Sequence, residues 1–172
     1  MAFDQIVEKY ERSVGRKCIE KIKTIGDGYM CAGGVPIENE SNPLDMVRVA
    51  LAINEYMEKR EIEKIASNEP YFEIRIGINT GPVVAGVVGK KKFAYDIWGD
   101  AVNLASRLET SSEVGRVNIS GETYKYIKDK FFFTNRGRIN AKNKGEIDMY
   151  FVDGRVRYNG ADKKENRRIA PE

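Results

Sequence analysis

Apolar positions recur at helical spacing from the start of the chain. Phe3, Ile6, Val7, Tyr10 and Val14 fall on one stripe, which predicts a helix from Met1 to about Lys17. Residues 18–25 are rich in β-branched side chains, Gly26-Asp27-Gly28 interrupts them, and Tyr29 to Ala32 resumes the run. That is the pattern of a hairpin with Asp27 at its tip, and simple alternation puts Ile19 and Ile25 on the side of Lys23. A loop over residues 34–43 leads to a long amphipathic helix with Leu44, Met46, Val49, Ile53 and Met57 on one face and Asn42 as its cap. Phe72, Ile74, Ile76 and Ile78 alternate strictly with Glu73, Arg75, Gly77 and Asn79, the cleanest strand pattern in the chain. Gly81-Pro82 is expected to turn this strand into the apolar run Val83 to Val88, forming a second hairpin. Beyond a Lys90-Lys91-Lys92 turn, Phe93 to Trp98 reads as extended and Asp100 to Glu109 as a helix with Leu104, Ala105 and Leu108 inward. A strand over Arg116 to Ser120, a short helix near Tyr124 and strands around Phe132 and Tyr150 complete an α+β pattern. Its helices are expected on one face of a mainly antiparallel sheet.

Composition narrows the chemistry. A chain of 172 residues suits one domain, and 41% hydrophobic with 32% charged residues allows a packed core under a charged surface. The absence of histidine excludes a Ser-His-Asp or Cys-His nucleophile, a histidine general base and any imidazole zinc site. Carboxylates, Lys, Arg, amides or bound metal ions must carry any catalysis. The net charge of +3 owes much to Lys163, Lys164, Arg167 and Arg168, in a polar tail from about Arg155 that reads as solvated rather than nucleic-acid binding. Cys18 and Cys31 are out of register for a bridge and are expected as buried free thiols. With no signal-like N-terminus and no apolar run near 20 residues, a reducing, cytoplasmic setting without membrane contact is the expectation.

Individually the polar candidates are ambiguous. Asp27, between two glycines, can approach a ligand unobstructed and suits a hard cation such as Mg²⁺, yet turn chemistry alone also explains it. Lys23 is unusual among apolar neighbours, though an edge or snorkelling lysine is ordinary. Asn103 and Arg107, four apart on a helix, share a face opposite Leu104 and Leu108. Arg offers a planar fork for a phosphoryl group and Asn a donor and acceptor for a hydroxyl, but an ordinary exposed face fits too. Lys144, between Asn143 and Gly145, reads equally well as a surface lysine.

Together these segments are specific. EKIKTIGDGYMCAGGVP (Glu20–Pro36) and RIGINTGPVVAGVVGKKKFAYDIWGDAVNLASRLE (Arg75–Glu109) closely resemble the catalytic domain of class III nucleotidyl cyclases, and NKGEIDMYFVDG (Asn143–Gly154) resembles that family's closing motif. The resemblance runs over residues 1–154, with 155–172 as the tail. It implies a ferredoxin-like βαββαβ fold. It also implies that Asp27 matches the second of two metal-binding aspartates, Lys23 and Asp96 the purine-reading pair, and Asn103 the residue that orients the ribose. Arg107 matches the residue that stabilises the pentavalent phosphate, and Lys144 the one that holds the terminal phosphates. The strand that bears the first metal aspartate in the family has no counterpart, since Met1-Ala2-Phe3-Asp4 matches the later part of the helix after it. A fold lacking its first strand, with impaired metal binding, is therefore expected.

The base-reading pair agrees with hydrogen-bond logic. Adenine presents an amino donor and a ring-nitrogen acceptor, which suit the Asp96 carboxylate and the Lys23 ammonium. Guanine reverses that order, and guanylyl members typically carry Glu and Cys at these positions. The implied activity is conversion of ATP to 3′,5′-cyclic AMP and pyrophosphate in intracellular signal transduction. It would use two Mg²⁺ or Mn²⁺ ions, at sites formed between subunits of a head-to-tail homodimer or with a complete cyclase partner. The alternative is a catalytically impaired cyclase-homology module that binds nucleotide or pairs with such a partner.

Overall fold

In a computed structural model of the chain, which describes residues 2–89, 93–141 and 145–155, the first apolar stripe folds as α1 (Ala2–Val14). It stops short of Lys17 because Gly15 adopts φ 71, a left-handed conformation that ends helices. The strands β1 (Ile19–Ile25) and β2 (Gly28–Gly33) form the expected antiparallel hairpin. α2 (Asn42–Ala66) follows. Asn42 does not cap it: Ser41 precedes the first turn, and the Asn42 amide donates instead to the Asn39 carbonyl at 2.6 Å.

The strict alternation from Phe72 yields a strand only over β3 (Ile76–Ile78). Its partner is not the next apolar run but β6 (Val117–Ser120), in parallel, with Ile76 opposite Val117. Residues 72–75 have no ladder to join, because the chain ahead of Val117 turns at Gly115, whose N–H donates to the Ile74 carbonyl at 3.0 Å. The expected second hairpin is therefore not formed between these two runs. β4 (Val84–Val88) pairs antiparallel with β5 (Ala94–Trp98) instead. α3 (Asp100–Thr110) leads from β5 back to β6, and α4 (Gly121–Ile127) follows. β7 (Phe131–Ala141) and β8 (Gly145–Arg155) close the fold. The described strands fall into three sheets, β1–β2, β3–β6–β8–β7 and β4–β5, all antiparallel except for β3–β6.

Two helices pack on one face of the four-stranded sheet. Val47 and Ala50 of α2 and Ile127 of α4 meet Ile78, Val117, Ile119 and Val152 there. α1 and the face of α2 that carries Val49 and Ile53 close over Cys18 and Ile19. α3 departs from the one-face expectation. Its Leu104 and Leu108 pack on Met149, on the opposite face. β6 is thus covered on both sides, which accounts for all four of its residues being buried. α1 and α2 are tied by Asp45, which is 1% exposed and accepts from Tyr10 Oη at 2.6 Å, Ser41 Oγ at 2.7 Å and Arg16 Nη2 at 2.9 Å. Both cysteines are free, Cys31 facing Lys21 across the hairpin rather than Cys18, and burial pushes the Cys31 thiol up to about 12. No helix among the described residues is long and apolar enough to cross a membrane.

Candidate active site

The β1–β2 hairpin closes through a two-residue loop, Gly26-Asp27, between the paired Ile25 and Gly28. Gly26 takes φ 61, the left-handed conformation that a tight hairpin loop needs, and Asp27 is left exposed at the tip. Within the hairpin the register shifts between Lys21 and Lys23: Lys21 faces Cys31, whereas Lys23 faces Met30. Adjacent residues of β2 point to opposite faces, so the bulge places Lys21 and Lys23 on opposite faces although they are two apart. Ile19 therefore does not share the side of Lys23; Ile25 does. Lys21 lies over the Tyr29 ring and pairs with Asp4 of α1, while Lys23 reaches β5.

There Lys23 Nζ meets Asp96 Oδ2 at 2.7 Å, with side chains 40% and 15% exposed. Asp96 Oδ1 accepts the Ile97 N–H at 2.8 Å. The Lys23 hydrogen bond, helped by that N–H and opposed by burial, holds the Asp96 carboxyl below the usual carboxylate range. Asp96 stands opposite Gly86 of β4. The bulge and the β4–β5 hairpin thus bring together two residues 73 positions apart in the chain.

Three residues after Asp96, Gly99 at φ 137 turns the chain into α3, which has no side-chain cap. Asn103 and Arg107 are exposed on this helix, opposite the buried Leu104 and Leu108. Arg107 Nη1 donates to the Asn140 carbonyl of β7 at 2.9 Å, which draws the guanidinium toward the β7–β8 end of the domain. Lys144 lies outside the described residues, as do Lys163, Lys164, Arg167 and Arg168 of the tail, whereas Arg155 ends β8. Among the described residues Lys23 meets Asp96, and no hydrogen bond or ion pair joins Asp27, Asn103 or Arg107 to that pair. Nor do the described residues gather three His, Cys, Asp or Glu side chains able to hold a metal ion.

The match to the adenylate and guanylate cyclase catalytic domain covers residues 1–154. The chain belongs to this family. It is 38% identical to an adenylate cyclase of Mycobacterium tuberculosis over 159 residues, 88% of this chain and 33% of the relative. It is also 37% identical to the guanylate cyclase soluble subunit beta-2 of Rattus norvegicus, over 87% of this chain and 22% of the relative. The chain therefore spans about a third or less of the length of these curated relatives. Among solved structures, it is similar to the guanylate cyclase domain of RhGC from Catenaria anguillulae in complex with GTP. The TM-score is 0.75 at 31% identity, covering 90% of this chain and 79% of that one. A second match is the catalytic core of a rhodopsin-guanylyl cyclase with converted specificity in complex with ATPalphaS, with TM-score 0.74 at 33% identity over 90% and 78% of the chains. As a cyclase catalytic domain, the chain has the α+β fold of its solved relatives. Relatives of both nucleotide classes are among its matches, so the base must be argued from the site.

The sequence gives little notice of what lies beneath the cyclase helix α3. Gly77, Asn79 and Asn118 all contact its backbone. Asn118 is the one polar residue in the apolar run Val117–Ile119, and that interruption is the signal available from sequence.

Proposed function

We propose that this cyclase domain converts ATP to 3′,5′-cyclic AMP and pyrophosphate. The observation that carries the reading is the Lys23–Asp96 pair, held at 2.7 Å by strands from opposite halves of the domain. It presents one ammonium donor and one carboxylate acceptor side by side, the complement of adenine's ring nitrogen and amino group. Guanine in the same pose would set its carbonyl against the carboxylate and its N–H against the ammonium. A site that leaves such groups unpaired rejects the wrong base by on the order of 10⁴-fold. A solved relative, a rhodopsin-guanylyl cyclase with converted specificity in complex with ATPalphaS, supports treating base choice as changeable within this fold.

Asn103 would orient the ribose so that its 3′-oxygen attacks the α-phosphorus, forming one P–O bond as the bond to pyrophosphate breaks. Arg107 would neutralise charge that builds on the phosphoryl oxygens, an effect worth about 10³–10⁵ in phosphoryl transfer when an arginine supplies it. Lys144 would hold the terminal phosphates. Asp27 would hold Mg²⁺ or Mn²⁺, which supplies Lewis acidity and lowers the hydroxyl pKa when bound. Among the described residues no three His, Cys, Asp or Glu side chains gather into a metal site, which favours a second reading, a nucleotide-binding cyclase-homology module of low activity. Purified chain incubated with ATP and Mn²⁺ separates the two. Cyclic AMP lowered about 10³-fold or more, but still measurable, by Arg107→Ala and lost with Asp27→Ala supports the enzyme; ATP binding without product supports the module.

The same reading places the site between two chains arranged head to tail. The β4–β5 hairpin supports this, because Val84, Val87 and Phe93 are 69%, 64% and 78% exposed, an unusual density of apolar surface for one ribbon.

A further inference from the structure

α3 carries Asn103 and Arg107 on its outer face, so the position of those side chains is the position of the helix. Its inner face is fixed by the sheet at three points. Gly77 of β3 approaches so closely that a Cβ there would stand 2.1 Å from Glu109 N and 2.5 Å from Ala105 O. Asn79 Nδ2 donates to the Ala101 carbonyl at 3.1 Å, in the first turn. Asn118 Nδ2 donates to the Leu108 carbonyl at 2.8 Å, in the last turn and next to Arg107.

The Asn118 contact meets a definite need. Leu108 O would normally accept from Ser112 N–H, but that N–H turns to the Glu109 carbonyl at 2.9 Å. Asn118, 0% exposed, supplies the missing donor. The reverse orientation of the amide would bring two carbonyl oxygens face to face. Its Nδ2 also lies 3.5 Å from Met149 Sδ, and its Oδ1 has no hydrogen-bond partner, as is true of Asn79 Oδ1. An apolar residue would avoid burying that orphaned oxygen, so packing alone does not account for an amide here.

We propose that Asn118, with Asn79 at the other end of the helix, is a positioning residue of the cyclisation reaction. It secures the last turn of α3 and so aims Arg107. The proposal rests on the activity given above. Arg107 acts on charge that appears in the transition state, so misplacing it lowers kcat and leaves KM nearly unchanged. A displacement of about 1 Å costs on the order of 10²-fold.

The test compares the full chain with Asn118→Ser, Asn118→Leu, Arg107→Ala and the Asn118→Ser/Arg107→Ala double variant. Initial rates are measured with ATP and Mn²⁺, and amide hydrogen exchange is followed in the same samples. The expected result is a kcat loss of about tenfold or more in Asn118→Ser with KM within about twofold, a loss that disappears in the Arg107→Ala background. Exchange should accelerate in α3 and not in α1. An equal proportional loss in both backgrounds, or exchange that rises uniformly, overturns the proposal. If Asn118→Leu fails to fold, Asn118→Ser carries the comparison. If the wild-type chain makes no cyclic nucleotide, the activity reading fails separately, and exchange decides the proposal: acceleration confined to α3 upholds the anchoring and any other pattern overturns it.

Discussion

Lys23 and Asp96 meet because of a single extra residue in β1. Without the register shift after Lys21, Lys23 would share the face of Ile19, which is buried against α1, and its ammonium would point away from β5. The sequence shows the lysine, and the family resemblance implies a role for it. It does not show the bulge, because a bulge reflects the pairing of two strands rather than the pattern of one. The pair also sets a pH dependence. Asp96's pKa is lowered in the folded chain, so the ion pair is intact above the ordinary carboxylate range and is lost as pH falls through the lowered value. Preference for ATP should therefore hold steady from about pH 6 to 9, well above carboxylate titration. Replacing Lys23 with Met removes the principal cause of the shift, and a carbon-detected NMR titration should show the Asp96 pKa rise. A second prediction concerns the base: Lys23→Glu combined with Asp96→Cys should lower kcat/KM for ATP by about 10²-fold or more and raise it for GTP, while Asp96→Ala alone should lose discrimination without gaining GTP use.

At the level of elements, the helices and the β1–β2 hairpin are legible from periodicity and turn residues, since each depends on neighbours in sequence. The partner of β3 is not. Phe72 to Asn79 reads as one long strand followed by a turn, yet it pairs only where β6 runs beside it, a contact made through the intervening hairpin and α3. Gly77 looks like an ordinary member of the polar alternation and is in fact the point where α3 lies on the sheet. Gly77→Ala should therefore displace α3, costing about 1–3 kcal/mol of stability by overpacking, with a disproportionate fall in kcat. Thermal unfolding and steady-state rates on one preparation check both effects. Asp45 is likewise hidden in sequence, an acid on the polar side of an amphipathic pattern that proves to be buried. Burial pushes its pKa up, but the hydrogen bonds from Tyr10, Ser41 and Arg16 together hold it below the usual value. Its contribution is present at neutral pH and lost as pH falls through the lowered pKa, so Asp45→Ala should cost about 3 kcal/mol at pH 7 and less in acid. Denaturant titrations at the two pH values measure the difference.

For the molecule as a whole, Asp27 lies on one hairpin and Arg107 on a helix beyond another, and no hydrogen bond or ion pair among the described residues joins them. The head-to-tail pair proposed above would supply that proximity, with each chain contributing one set of residues to its partner's site. Chains carrying Asp27→Ala and chains carrying Arg107→Ala, each strongly impaired alone, should regain activity when mixed. At equal amounts about a quarter of all sites would be intact, since half the dimers are mixed and each holds one complete site. Failure to complement would place the two residues in a site within one chain. The central claim, that this domain makes cyclic AMP, is tested most directly by kcat/KM for ATP and for GTP measured side by side with Mn²⁺ on the wild-type chain. The account predicts cyclic AMP as the product and a ratio favouring ATP by on the order of 10³ or more. Equal use of the two nucleotides, or preference for GTP, would contradict it.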